Sequence, residues 1–308
     1  MSAAMADFSD GRLVSGDAEQ VGRRHSLRSR VLLHVLTIVL ASFALFPFIW
    51  TVASSLKTPS ELVLFPPPLF PYEPQWSNYA QLWQVVPFGI WLKNSLIYTI
   101  VGTVGAVASA TLVAYSFARF RYPGRDVFFL VTLATIMLPV EVTIIPQYVL
   151  FFNLGWIDSL LPLIVPQWFG GGAFNIFLIR QFFMSIPRDL DEAALVDGAS
   201  YLQTLWYVLL PLCVPALATA AIITAISNWD AFLGPFIFLN TKDNLVLAVG
   251  IRELQSVGAA TGGAVVGGLR RDHLLMAAAT LMTLPVIVLF FACQRYFVRG
   301  AVMSGIKG

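Results

Sequence analysis

The chain has 308 residues, of which 57% are apolar and only 12% charged, and its formal net charge is +2. Soluble domains average roughly 25% charged residues, so too little charge is present to coat a water-soluble globule of this length, which argues against an ordinary cytosolic enzyme. Lys and Arg stand at the ends of apolar runs rather than on one polar face, which argues against a nucleic-acid binder.

Residues 1–30 are polar, contain Gly11, Gly16 and Gly22, and show no helical stripe, the composition of a disordered tail. Arg23, Arg24, Arg28 and Arg30 precede an apolar run that is too long for a signal-peptide core and is followed by no Ala-x-Ala site, so it reads as a retained first span. A hydrocarbon layer of about 30 Å takes roughly 20 helical residues. Six stretches meet that length, at 31–56, 95–118, 127–152, 159–179, 205–226 and 274–292. The expected fold is therefore all-α and polytopic, with six transmembrane helices in a membrane domain at 31–308.

After the first span, residues 57–89 carry Pro59, Pro66, Pro67, Pro68, Pro71, Pro74 and Pro87, which forbid a continuous helix. They read as an outer loop with one short helix at 75–85. The second span places Gly102, Ala106, Ala110 and Ala114 at every fourth position, a pattern that lets helix backbones approach closely; it fits an internal bundle helix or a wall of a translocation pathway. The third span holds Glu141, the only charged residue in any of the six. A carboxylate at bilayer depth costs about 3 kcal/mol, so Glu141 either lines a polar pathway or caps helix backbone broken near Pro139. Pro162, Pro166, Pro211, Pro215 and Pro285 imply kinks in the later spans. The stretch 228–273 reads as a long outer loop whose apolar patches, 231–239 and 244–251, are too short to span and so pack on the bundle or dip partway in. Cys213 falls inside a span, Cys293 directly follows one, and His25, His34 and His273 lack ligand spacing, so neither a disulfide framework nor a metal site is expected.

Six spans put both termini on one side. Arg12, Arg23, Arg24, Arg28, Arg30, Arg119, Arg121, Arg125, Arg180, Arg188, Arg295, Arg299 and Lys307 would share that side, against Lys57, Lys93, Lys242, Arg252, Arg270 and Arg271 opposite. The excess assigns both termini to the cytoplasm of a plasma (inner) membrane protein.

The cytoplasmic connection 185–203 carries the strongest pattern. Pro187 suits a first helical position, Asp189, Asp191 and Glu192 favour the positive end of a helix dipole, and Gly198 suits a left-handed stop. Ser200 and Gln203 have capping-box spacing for a second helix that runs into the fifth span. Leu190, Ala193, Ala194 and Asp197 fall on one helical side, where two alanines let another protein approach closely beside Glu192 as a charge anchor; an ordinary solvated loop helix is the alternative.

Glu192-Ala193-Ala194, then Gly198, Val208 and Leu210-Pro211, resembles the EAA motif of ABC importer permeases, with Val208 where Ile is usual. Met137-Leu138-Pro139, Arg180-Gln181-Phe182-Phe183, Asp197-Gly198-Ala199-Ser200 and the ending 294–308 extend the resemblance to the MalG-like branch of maltose-type carbohydrate importers, over nearly all of 31–308. That resemblance implies a type I importer permease fold without catalytic residues, in which Glu192, Ala193, Ala194, Asp197 and Gly198 form a coupling helix against an ATPase. It assigns Gly305 and Lys307 to the same interface, and Gly258, Gly262 and Gly263 to a loop that enters the substrate-binding protein. The implied partners are a second, homologous permease subunit, two ATPase subunits, an extracytoplasmic binding protein, the lipid bilayer and a carbohydrate, with glycerol-phosphate or another polyol as the alternative substrate. No Gly-x-x-x-x-Gly-Lys-Ser/Thr occurs, so ATP and Mg are expected on the partner ATPase and no cofactor in this chain. A secondary transporter would need more intramembrane ionisable groups than Glu141, and an intramembrane protease would need a Ser and a His paired within the spans.

Overall fold

A computed structural model describes residues 27–260 and 271–305, with side chains placed at 31–255 and 271–294. Among the described residues every regular element is helical, as hydrocarbon demands of backbone that must satisfy its hydrogen bonds within its own segment. In chain order these are α1 (Leu27–Ser55), α2 (Pro59–Leu62), α3 (Ser77–Val85), α4 (Phe88–Arg119), α5 (Arg125–Ala134), α6 (Val140–Asn153), α7 (Leu161–Ile164), α8 (Ala173–Ser185), α9 (Asp189–Val196), α10 (Tyr201–Gln203), α11 (Leu210–Trp229), α12 (Leu233–Phe238), α13 (Leu247–Ala260) and α14 (Asp272–Gly305). Short 3-10 turns follow α5 and α7 and precede α13, and a π-helix at Thr204–Leu209 joins α10 to α11. Two compact units divide the chain, residues 1–48 and 49–308. In the first, the side chains from Val31 to Phe46 are exposed, and a helix that is apolar all round has the composition of a membrane span.

In the second unit α4 is the axis. Its 32 residues span about 48 Å at helical rise, and Gly102, Ala106, Ala110 and Ala114 are all buried on it. The stripe of small residues is thus an internal packing face. Gly171 shows why bulk is excluded there: its φ is +64°, and a methyl group on it would run into the Ala106 carbonyl. Two apolar clusters lie at opposite ends of α4. One gathers Leu82, Phe88, Trp91, Phe238, Leu247 and Leu274; the other gathers Ala114, Phe117, Phe183, Leu205, Leu209 and Cys213. Between them uncharged polar groups pair with one another, as burial requires. Gln167 Nε2 donates to Leu163 O at 2.9 Å and to Asn228 Oδ1 at 3.2 Å, and Asn228 Nδ2 donates to Gln167 Oε1 at 3.0 Å. Asn175 Nδ2 donates to Thr224 Oγ1 and to Gly171 O, both at 2.9 Å.

Five helical stretches are long and apolar enough to cross a membrane: 31–55, 88–119, 161–185, 201–229 and 272–294. The expected third span, 127–152, departs from a kinked helix. Its halves, Arg125–Met137 and Val140–Asn153, meet at 101°. Leu138, preceding Pro139, is forced out of helical geometry to ψ 117° and Pro139 follows at ψ 137°, so two extended residues make an elbow. Counted as one, the pair is the sixth span. Glu141 stands exposed in the first turn of α6, beside that elbow, where a helix N-terminus favours negative charge. The fifth span begins earlier than 205: Pro211 cannot donate to Tyr207 O, and the ladder widens so that Leu210 N–H reaches back five residues to Leu205 O.

The proline-rich connection is ordered by side chains. Thr58 and Glu61 form a capping box at α2, and the buried Glu61 accepts from Thr58 N at 2.7 Å and from Tyr72 N at 2.9 Å. The fully buried Lys57 donates to Ser54 Oγ at 3.3 Å, with its ammonium 4.1 Å from the centre of the Trp50 ring. The two apolar patches after Asn228 pack on the bundle, with Phe238, Leu239, Leu245, Val246 and Leu247 all buried.

Asp158 ties the connection after α6 to the one after α12. Its φ is +62°, its Oδ1 accepts from Asn240 N and Thr241 N at 2.8 Å each, and its Oδ2 accepts from the Thr241 hydroxyl. Partial burial pushes its carboxyl up, but the bonds from Thr241 and Asn240, with Asn244, outweigh that and hold it down to about 2. A carboxyl whose native value is depressed contributes stability that is present above the unfolded value near 4 and is lost as pH falls towards 2. Water screens a site this open, so about 1 kcal/mol is expected. Asp158→Asn, which also tolerates positive φ, should flatten the fall in thermal unfolding midpoint between pH 6 and pH 3; an unchanged slope would remove Asp158 from that titration.

Candidate functional site

The site is built from residues 185–203. α9 starts at Asp189, with Asp191 N and Glu192 N donating to Arg188 O at 2.9 and 3.1 Å and three acidic residues in its first turn. Pro187 lies two residues before the helix rather than at its first position: Arg188 takes the capping place. The far end closes as the sequence implies. Gly198 has φ +84°, its N–H donates to Leu195 O at 3.1 Å, and Ala199 N–H donates to Ala194 O at 2.9 Å. This is the Schellman arrangement, which needs a left-handed residue at that position. Ser200 N donates to Gln203 Oε1 at 2.7 Å and Gln203 N to Ser200 Oγ at 3.4 Å, completing the capping box of α10.

This helix, turn and helix are fixed to the Arg119 end of α4. Arg119 Nε lies 3.0 Å from Asp191 Oδ2, with only 7% of the arginine side chain exposed, and Arg119 Nη2 donates to Ile186 O at 3.1 Å. Arg188 Nη2 donates to Ala118 O at 3.4 Å and Tyr115 Oη to Tyr201 O at 3.0 Å. Phe120 packs edge-on to both Tyr115 and Tyr201, with ring centres 5.2 and 5.1 Å apart. A cavity of about 190 Å³ remains, lined by Arg119, Asp191, Glu192, Tyr201 and Thr204 among others.

Burial sorts the motif. Ala194 is buried on the inner side of α9, while Glu192, Ala193, Val196 and Asp197 are exposed, Val196 to 88%. The two alanines expected to share one open side are therefore divided, because successive helical residues point about 100° apart. Ala194 seats the helix; Glu192, Ala193 and Val196 make the open face. Burial pushes the Asp191 carboxyl up, and the Arg119 and Arg188 charges do not fully offset it. The ion pair is thus a device of position more than of stability.

Glu192, Ala193, Ala194, Asp197 and Gly198 form one helix and its terminating turn. Glu141 stands on α6 and Gly258 on α13, while Gly305 is the last residue of α14. Gly262, Gly263 and Lys307 lie outside the described residues. Sequence reasoning missed the anchors Arg119, Arg188, Tyr115 and Tyr201. The two arginines entered it only as charges in a count of sides, and nothing in residue spacing joins position 119 to 191.

Four likenesses bear on this geometry. The family model described as binding-protein-dependent transport system inner membrane component matches residues 106–302, which include all of the α9 segment. The sn-glycerol-3-phosphate transport system permease protein UgpE of Yersinia pestis bv. Antiqua (strain Antiqua) is 35% identical over 278 residues, covering 88% of this chain and 95% of that protein. The trehalose/maltose transport system permease protein MalG of Thermococcus litoralis (strain ATCC 51850 / DSM 5473 / JCM 8560 / NS-C) is 29% identical, covering 92% and 99%. The crystal structure of a bacterial ABC transporter involved in the import of the acidic polysaccharide alginate contains a chain that matches with a TM-score of 0.75 at 28% identity, covering 87% of this chain and 96% of that one. The chain belongs to the family of binding-protein-dependent transport system inner membrane components.

Proposed function

We propose that this chain is the non-catalytic membrane subunit of an ATP-driven carbohydrate importer, and that the open face of α9 docks on a separate ATPase. The observation that carries this reading is the way α9 is held: Asp191 pairs with Arg119 of α4, Ala194 is buried on the inner side, and Glu192, Ala193 and Val196 are left facing outward. A rigid lever of this kind passes movement of a docked partner into α4 and, through the capping box, into α11. Such transmission works only if each partner's affinity differs between the two states of the membrane domain. A second permease subunit completes the pathway, two ATPase subunits bind ATP and Mg, and an extracytoplasmic binding protein delivers substrate to the side facing 57–89 and 228–273. Both termini and α9 are cytoplasmic, Gly305 and Lys307 extend the ATPase contact, Gly258, Gly262 and Gly263 meet the binding protein, and Glu141 either lines the pathway or caps the helix backbone broken at the elbow. The likeness to the MalG and alginate-importer chains supports a saccharide substrate.

A second reading, sn-glycerol-3-phosphate, is favoured by the 35% identity to UgpE. Uptake into vesicles bearing the assembled complex and its binding protein tests both. Carbohydrate uptake that requires ATP, and that falls at least about tenfold in Glu192→Lys through charge reversal at a docking face, supports the first. Uptake of sn-glycerol-3-phosphate alone supports the second, and uptake without any ATPase contradicts both.

A further inference from the structure

We propose that the turn between α4 and α5 is a binding site for the phosphate headgroup of an anionic phospholipid. A cavity of about 560 Å³ opens there, lined by Arg121, Tyr122, Gly124, Arg125, Val127 and Arg188. Three arginines thus line one space; Arg125 is spent locally, its Nε and Nη2 on Asp126 at 2.8 Å each and its Nη1 on Phe120 O at 3.3 Å, which leaves Arg121 and Arg188 as the available guanidiniums. The single carboxylate on its wall, Asp126, is engaged by Arg125 at 2.8 Å. Arg121 carries no ion pair among the described residues, and Arg188 spends one nitrogen on Ala118 O. The cavity therefore keeps a net positive charge. Gly124, at φ +81°, turns the chain so that the N-terminus of the ten-residue α5, which has no side-chain cap, opens onto the same space, adding backbone donors and the positive end of a dipole. Guanidinium forks and free amides are the donors that phosphate oxygens accept.

A lipid, rather than a soluble phosphate, is indicated by what adjoins the cavity. Val127, Phe128, Leu130 and Val131 run from its edge along α5, each more than half exposed. An apolar helix face that begins at a ring of arginines matches the two ends of a phospholipid: acyl chains lie along α5 and the headgroup sits among the guanidiniums. Basic pockets at the cytoplasmic ends of spans have this chemistry. The site shares Arg188 with the anchoring of α9, so an occupied headgroup would brace the lever from its membrane side. This inference needs only that the chain is a membrane component, and it is read by binding rather than by transport.

Native mass spectrometry of the intact purified assembly tests it, with phosphatidylglycerol, phosphatidylcholine of the same acyl chains, and inorganic phosphate as probes. One tightly retained phosphatidylglycerol per copy of this chain, preferred over phosphatidylcholine, is expected. Arg121→Gln should weaken that retention by about fivefold, the contribution of one basic residue at an anionic surface, and Arg121→Lys should keep most of it. Equal retention by wild type and Arg121→Gln, or no preference between the two lipids, would overturn the proposal. Displacement of the lipid by millimolar inorganic phosphate would overturn the lipid assignment in favour of a soluble anion. Loss of the ATPase from purified Arg121→Gln, with lipid retention unchanged, would show a protein contact there instead.

Discussion

Gly198→Val should abolish most transport while the chain still inserts and assembles. Gly198 is exposed, and a Cβ there would meet nothing within 4 Å, so the substitution creates no clash. Its φ of +84° is the obstacle. A β-branched residue in that region costs on the order of 1 to 2 kcal/mol, and escaping it means breaking the Gly198 N–H to Leu195 O and Ala199 N–H to Ala194 O bonds that end α9. Relieving the strain redirects the turn between α9 and α10, so that the proposed lever no longer points into α11, and retaining it leaves the turn destabilised by that amount. A loss of uptake of at least about tenfold is expected, the factor that 1.4 kcal/mol represents. Asn, which accepts left-handed geometry, should retain much more activity than Val at equal expression. Equal activity of the Val and Asn variants would show that the conformation at Gly198 does not matter.

Arg119 and Asp191 give the second large effect. Arg119→Met removes the charge facing Asp191 and the donor to Ile186 O, stranding a half-buried carboxylate. Breaking one side of a buried pair costs about 3 to 5 kcal/mol in favourable cases, so this single variant should lose both thermal stability and uptake. Because burial already pushes Asp191 up, its ionised form is not a net source of stability in the fold. The sign of the linkage follows: a carboxyl raised in the native state contributes most at low pH, and that contribution fades as pH rises through its native value. The double variant Arg119→Met/Asp191→Leu should therefore regain most of the lost unfolding midpoint. It should not regain uptake, because α9 would have lost the contact that sets its orientation on α4. Recovery of both properties would make the pair purely structural, and recovery of neither would place its role in folding.

Much of this architecture was legible in the sequence for simple reasons. Long uncharged runs of hydrophobic residues have few fates at their length, and the Gly102, Ala106, Ala110 and Ala114 series became the buried face of α4. The local chemistry of Gly198 and of Ser200 with Gln203 was readable because caps are decided by neighbours three or four residues away. What escaped reading depended on distance along the chain or on degree. Pro139 announced a break, but a 101° elbow instead of a kink arises because Leu138 and Pro139 are both extended. The network of Gln167, Asn228, Asn175 and Thr224 carries no charge and no periodicity, so apolar neighbours hid it. Arg119 and Asp191 are 72 positions apart and meet only because α8 brings the chain back along α4. The division of Ala193 from Ala194 needed the same tertiary information, since either alanine could have been the one turned inward.

The most direct measurement places a photo-crosslinking residue at Ala193 in the assembled complex and, as a control, at Ser77 at the opposite end of the membrane domain. Both side chains are exposed, so neither substitution disturbs packing. If the open face of α9 is the docking surface, illumination should join the Ala193 variant to the ATPase polypeptide, and the yield should change when ATP is bound and the ATPase subunits close. The Ser77 variant should give no ATPase adduct. An ATPase adduct from position 77, or none from position 193 in a complex that retains its ATPase, would contradict the coupling role of α9.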